Sequence, residues 1–277
     1  MTVREYGYDS TFVEVGNGYC IMIYGPFGCG KTHSLGTLYG PIAVVVTEPR
    51  DPRPILSWTK EPITFFEVGN FDDVKELFFN WEMEAREGKF QFKSIALDSA
   101  SFIQSEFKST LQDDRYKYRI DTDKAREGLI DRFRLDEADW GPVAEIMKRI
   151  TAAANRLSKY GVTVVFTAYS TESPSWNRAL EAAPFFQGRE YPKVLNGYFD
   201  FIGFIVDPWK IQKNGSIRPP VISFKSEDES YVAKCCSIPL AKRSVEFPDA
   251  RKYSGASLLD FKKILEIIKS KETKNGG

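Results

Sequence analysis

The residues best suited to chemistry are GPFGCGKT at 25–32, which fit G-x-x-x-x-G-K-[ST] in full. In that pattern the glycines let successive backbone N–H groups curl round phosphate oxygens, with a strand before the loop and a helix after it. Lys31 is placed to reach the β- and γ-phosphates of a nucleotide, and the Thr32 hydroxyl to ligate Mg²⁺. Gly25, Pro26, Phe27, Gly28, Cys29, Gly30 and His33 complete the candidate nucleotide-binding set. The four fixed positions should match by chance in only about 1% of chains of this length. The apolar run CIMIY directly before the loop supplies the required strand. Cys29 reads as an ordinary thiol, and His33, the sole histidine, as a helix-surface residue.

Phosphate chemistry also needs a carboxylate on the metal side. The segment SIALDS at 94–99 ends an apolar strand in Asp98, at the carboxyl edge where open α/β sheets bind ligands. The competing reading is a strand-end Asp that caps the following helix. AAA+ ATPases place a glutamate directly after this Asp, whereas here Ser99 follows, so the base must come from elsewhere. Glu48 ends the strand VVVTEPRDP, and Pro49 biases it towards an extended conformation. A carboxylate there can polarise an attacking water, with Asp51 as the fallback. Lys31, Glu48 and Asp98 are thus the candidate catalytic set. No N-K-x-D motif reads a guanine base, since TKEP at 59–62 lacks the Asp, which argues against a GTPase.

The elements that must position these residues are legible as an alternation of short apolar strands and helical stretches, the pattern of a parallel sheet with crossover helices. Strands are expected at 20–24, 42–47, 63–68, 94–98, 162–168 and 199–206. Several are continuous β-branched runs, which suits strands covered on both faces. Helical spacing runs over 71–88 and over 142–160, the latter closed by Gly161. Connections at 112–140 and 171–196 are long enough to be functional. After 207 the pattern suggests a β-hairpin, VISFK returning as YVAKCC, followed by an amphipathic helix over 257–269.

A phosphate loop, then a strand ending in Glu48 with Asp-Pro close behind, then a strand ending LDS, resembles the RecA-type ATPase core. The sequence resembles more nearly the short phage-encoded, core-only RecA-like proteins associated with single-strand annealing. Asp139-Trp140-Gly141 before the penultimate core strand and Val232-Ala233-Lys234 in the hairpin carry that likeness. The resemblance implies a three-layer α/β P-loop NTPase with a mostly parallel central sheet and a C-terminal β-hairpin plus helix. Its core spans 1–245, with a helical extension at 246–277 packed on it. It implies Mg²⁺-dependent ATP hydrolysis, action on single-stranded DNA in recombination or repair, a homo-oligomer and an annealing or single-strand-binding protein as partner. Tyr169 stands where such cores place a polar γ-phosphate sensor, with Ser170 and Thr167 beside it. Lys234 matches a residue that reaches a neighbouring subunit's nucleotide; Cys236 stands where an Arg would be, and Arg243 is the substitute. The two long connections correspond to DNA-facing loops, and in the second Trp176, Arg178 and Arg189, with Phe185 and Phe186, can stack on bases and touch phosphates.

Composition limits these readings. Thirty-eight Lys+Arg balance thirty-eight Asp+Glu in 277 residues, which gives no case for a basic coat for nucleic acid and predicts that any polyanion site is local. Four cysteines offer no C-x-x-C pair, which points to a reducing compartment. The polar start and the lack of a long apolar run predict a soluble, cytoplasmic protein, in the host cytoplasm if viral, with no membrane partner. Two alternatives share the phosphate loop: a small-molecule kinase whose Arg-rich segment 115–134 is a lid, and a nucleotide-gated binding module with little hydrolysis.

Overall fold

The computed structural model describes residues 18–49, 51–122, 133, 135, 139–172, 174, 180–211, 213, 215, 217–218, 220–224, 231–235 and 256–273. The apolar runs form β1 (Cys20–Gly25), β2 (Ile42–Val46), β3 (Ile63–Glu67), β4 (Ser94–Asp98), β5 (Thr163–Glu172) and, after the short β6 (Ala182–Pro184), β7 (Phe201–Asp207). Strands β7, β1, β5, β4, β2 and β3 lie side by side in that order and run parallel. β1, β2 and β4 are buried along their whole length, as their unbroken apolar sequences require.

Alternate residues of these strands feed two cores. Met22, Tyr24, Val45, Leu97 and Phe166 face a layer made by α2 (Phe71–Arg86), α3 (Ala100–Thr122) and α4 (Trp140–Ser158). Ile21, Ile23, Val44 and Val165 face the opposite side, with Leu35, Leu38 and α6 (Phe261–Thr273). The chain is therefore α/β, with a mostly parallel central sheet and helices on both faces. In α2 the buried residues Phe71, Val74, Phe78 and Trp81 recur at helical spacing, and the Asn70 side chain accepts from the Asp73 N–H at 3.0 Å to cap it. α4 begins at Trp140 and gives way to a turn closed by Gly161 at φ 84°, the left-handed conformation that favours glycine.

Four expectations change. The hairpin is replaced by a different pairing: beyond the short antiparallel pair β8 (Lys210–Ile211) and β9 (Ile217–Arg218), β10 (Val221–Ser223) and β11 (Lys234–Cys235) both run antiparallel to β7, end to end along its edge, and do not pair with each other. Alternation marks both segments as strands but does not name their partner. The outer face of β10 is taken by β12 (Ala256–Leu258), and the C-terminal helix begins at Phe261 rather than 257. The first long connection is in good part helix, because α3 runs to Thr122; its apolar stripe is thin and many of its positions are exposed. The second contains β6, which folds back antiparallel on the end of β5, and α5 (Glu190–Val194).

Candidate functional site

The loop 25–32 leaves β1 at the carboxyl edge of the sheet, beside the ends of β5, β4 and β2. The helix that follows is short: α1 (Lys31–Ser34) makes one turn and tightens into a 3-10 turn at Leu35–Thr37. The anion-facing features are consequently side chains and loop backbone more than a long helix dipole. Gly28 and Gly30 take φ 70° and 103°, which explains glycine at both positions. Lys31 is buried, and its ammonium donates to the carbonyls of Gly25 and Pro26, each at 2.8 Å. Its Nζ lies 5.3 Å from the centre of the Tyr169 ring. Cys29 is buried beside Lys31, with Sγ 3.7 Å from Nζ; burial raises its thiol pKa despite the ammonium, so it stays protonated.

Two carboxylates from other strands join this loop. Thr32 Oγ1 donates to Asp98 Oδ2 at 2.7 Å, and Thr167 on β5 donates to Asp98 Oδ1. Both Asp98 and Glu48 are buried. Glu48 Oε1 accepts from Ser99 Oγ at 2.7 Å and from the Tyr169 hydroxyl. Thr47 locks the ends of β2 and β4 together: its Oγ1 donates to the Ser99 carbonyl at 3.0 Å and accepts from the Ser99 N–H at 2.8 Å. The Asp98–Ser99 peptide is cis. The candidate set Lys31, Thr32, Glu48, Asp98 and Tyr169 thus converges on one edge of the sheet. Asp51, the fallback base, is exposed and paired with Arg53 at 2.8 Å, outside this group.

Phe27 projects from the loop, 75% exposed, with its ring 4.3 Å from that of Tyr169. The Tyr169 N–H donates to Ser101 Oγ at 3.1 Å, Ser101 donates to the Phe185 carbonyl at 2.7 Å, and the Phe185 N–H returns to the Tyr169 carbonyl at 2.7 Å. Ser170 continues β5 opposite Pro184. His33 is half-exposed beside the loop, between Trp58 and Trp209, and burial lowers its imidazole pKa, keeping it neutral at pH 7.

Other expected residues are elsewhere. Lys234 pairs opposite Ile202 at the amino end of β7 and donates to the Phe199 carbonyl at 2.7 Å. The loop begins level with Ile205, whose side chain lies beside Gly25, so Lys234 stands three strand residues, roughly 10 Å, short of the loop edge, with its ammonium turned the other way, to Phe199. Arg189 is exposed at the start of α5. Phe186 does not present a stacking face to solvent: it is buried, edge-on to Tyr191 at 4.8 Å. Arg115, the first cation of the supposed lid, is bonded to buried Asp139 at 2.7 Å. Trp176, Arg178, Cys236 and Arg243 lie outside the described residues.

Sequence reasoning passed over Thr47, whose signal was its place directly before Glu48. It also passed over Trp209, which bonds to the loop from beyond β7 and carries no local signal. No family model matches the chain, and no curated protein matches it. Among the described residues no helix is long and apolar enough to cross a membrane.

Proposed function

We propose that this protein is an Mg²⁺-dependent ATPase with a RecA-like core. The observation that carries the reading is the 2.7 Å pairing of Thr32 Oγ1 with Asp98 Oδ2, beside Lys31 in a glycine loop. Two hard oxygen donors are thereby brought together from 66 residues apart, a fit for Mg²⁺. Among the described residues no three His, Cys, Asp or Glu side chains cluster as a metal site. That suits an ion usually held by one or two carboxylates, waters and substrate phosphates rather than by an all-protein cage.

Thr32 and Asp98 would hold the Mg²⁺, which would supply positive charge against the charge developing on the phosphates. Lys31 exchanges the Gly25 and Pro26 carbonyls for phosphate oxygens. Thr167 fixes one oxygen of Asp98 and leaves the other directed to Thr32. Glu48, steadied by Ser99, takes the proton of the attacking water, and Tyr169 reports the occupancy of the terminal phosphate position. Single-stranded DNA as the polymer acted on, in recombination or repair, and assembly of several copies with nucleotide between them follow from the RecA-like resemblance.

A second reading, a nucleotide-gated module that hydrolyses slowly, is favoured by one contact, the Tyr169 hydroxyl occupying Glu48. ATP turnover measured with and without single-stranded DNA, duplex DNA and RNA, alongside particle mass with a slowly hydrolysed analogue, separates the two. DNA-stimulated turnover by an oligomer supports the ATPase. Turnover equal to that of Glu48→Gln supports the module, and a monomer indifferent to DNA removes the recombination role.

A further inference from the structure

The terminal-phosphate side of the loop is defined by Asp98 on β4, Tyr169 on β5 and Glu48 just beyond the end of β2, all to one side of β1. On the other side of β1 stands β7, and two residues beyond its end is Trp209. The Trp209 indole N–H donates to the Gly28 carbonyl at 2.7 Å, and its backbone N–H donates to the Cys29 carbonyl at 3.3 Å. A Cβ on Gly30 would stand 3.2 Å from the indole Cδ1. The ring is therefore fixed against the loop by its edge, and its orientation is set.

His33 lies nearly parallel to that indole, 21° between planes with centroids 6.0 Å apart, and Trp58 approaches His33 edge-on at 6.3 Å. All three side chains are half-exposed rather than sealed in the core. A nucleotide whose last phosphate faces Glu48 must lead its sugar and base away from Glu48, past Thr32 and His33. The first aromatic faces on that path are His33 and Trp209. Neutral imidazole and indole offer flat, polarisable surfaces to a base and no cation to a phosphate.

We propose that Trp209, with His33 beside it, is the stacking platform for the base of a purine nucleoside triphosphate whose phosphates occupy loop 25–32. This rests on the nucleotide reading above and adds to it a site for the base and a preference: the larger purine surface gains more from stacking than a pyrimidine. The indole N–H gives Trp209 a separate task, positioning the phosphate loop through Gly28, which affects every triphosphate alike.

Binding of MgATP, MgUTP and inorganic tripolyphosphate to the full chain tests the platform, because tripolyphosphate has no base. The wild-type chain should bind ATP more tightly than UTP and UTP more tightly than tripolyphosphate. The ratio of ATP to tripolyphosphate affinity should fall ~10-fold or more in Trp209→Ala and Trp209→Leu, and stay within about two-fold in Trp209→Phe, which keeps an aromatic face. Leu fills the space that Ala empties, so loss of folding in one variant does not decide the result. Equal weakening of ATP and tripolyphosphate in both variants, or ATP bound no better than tripolyphosphate by the wild-type chain, overturns the platform while leaving the phosphate site intact. Binding of none of the three ligands overturns the nucleotide reading and the platform with it.

Discussion

The Tyr169 hydroxyl donates a hydrogen bond to Glu48 Oε1, joining residues 121 positions apart. Ser99 Oγ donates to the same oxygen at 2.7 Å. A carboxylate that accepts two hydroxyl donors is well oriented, but the bond to Tyr169 competes with a water for the basic oxygen. Tyr169 must therefore turn aside before Glu48 can act as a base. Its ring, in tilted contact with Phe27 and near the Lys31 ammonium, is in a position to be moved by an arriving phosphate.

Glu48→Gln should retain ATP binding and lose about 10²–10⁴-fold in turnover, the usual range for removing a general base. Tyr169→Phe should act the other way, raising turnover several-fold (~3–10) by removing the competing donor while leaving ATP affinity near wild type. Steady-state rates together with nucleotide titration check both. A lower rate in Tyr169→Phe would make the phenol an orienting group for Glu48 instead of a competitor.

Asp98→Asn keeps the shape of the side chain but removes the charge facing Thr32. ATP binding should then lose most of its Mg²⁺ dependence, and turnover should fall at least ~100-fold, because an oxygen-ligated metal site with one carboxylate depends on that charge. Titrating nucleotide with and without EDTA should separate wild type strongly and the variant weakly. A variant that keeps the full Mg²⁺ response would remove Asp98 from the metal site.

What was legible in the sequence and what was not divides along physical lines. Lys31, Thr32 and Asp98 were readable because a short backbone pattern or an apolar strand end carries each one. Of the six parallel strands, β1, β2 and β4 were readable because two-sided burial writes apolar runs, whereas β3 lies half-exposed at the sheet edge and was readable from its β-branched and aromatic residues. The partner of a strand is a tertiary choice, so VISFK and YVAKCC could be seen as strands without showing that each pairs with β7. Trp209 meets Gly28 across 181 residues, and nothing local to either announces it. Residues 112–122 resembled a loop because a half-exposed helix carries a weak apolar stripe.

The brevity of the helix after the phosphate loop has a steric basis. A Cβ at Gly36 would stand 2.5 Å from the Ile55 carbonyl oxygen and 3.2 Å from Trp58 Cβ, so the 3-10 turn is pressed against the segment Arg53–Trp58. The obstacle is backbone and cannot rotate away. Gly36→Ala should cost about 1–3 kcal/mol of stability. Denaturant unfolding should show a lower midpoint with an unchanged slope. An unchanged midpoint would mean that this segment yields at no cost.

Glu82 on α2 accepts from Arg86 on its own helix and from Arg156 on α4, each at 2.8 Å. Burial pushes its carboxyl pKa up, but the Arg156 hydrogen bond and charge, with Arg86, outweigh that and hold it below the usual value. A pKa depressed in the folded state stabilises above the unfolded carboxylate pKa, and the stabilisation is lost as pH falls through the folded value. Both guanidinium partners are close to half exposed, so solvent reduces the effect. Glu82→Gln should cost about 1–2 kcal/mol at pH 7 and progressively less below about pH 4.5. Stability curves for the two proteins that stay parallel from pH 7 into acid would show that the ion pairs contribute nothing.

Nucleic-acid binding, if the recombination reading holds, is constrained by Phe186 and by charge. Phe186, turned into the core against Tyr191, offers no face for stacking, and with acids balancing bases along the chain few phosphate contacts are expected. The affinity for single-stranded DNA should therefore depend only weakly on salt, with a log–log slope of magnitude about 0.7 per neutralised phosphate. Arg189, exposed at the start of α5, is a cation on the segment leading back from the Tyr169 end of β5. Arg189→Ala should lower the slope by about 0.7 if that side chain meets one phosphate, with little change in ATP binding. Titrations of labelled oligonucleotide at several salt concentrations give the slope directly. An unchanged slope would move the DNA-contacting surface away from Arg189.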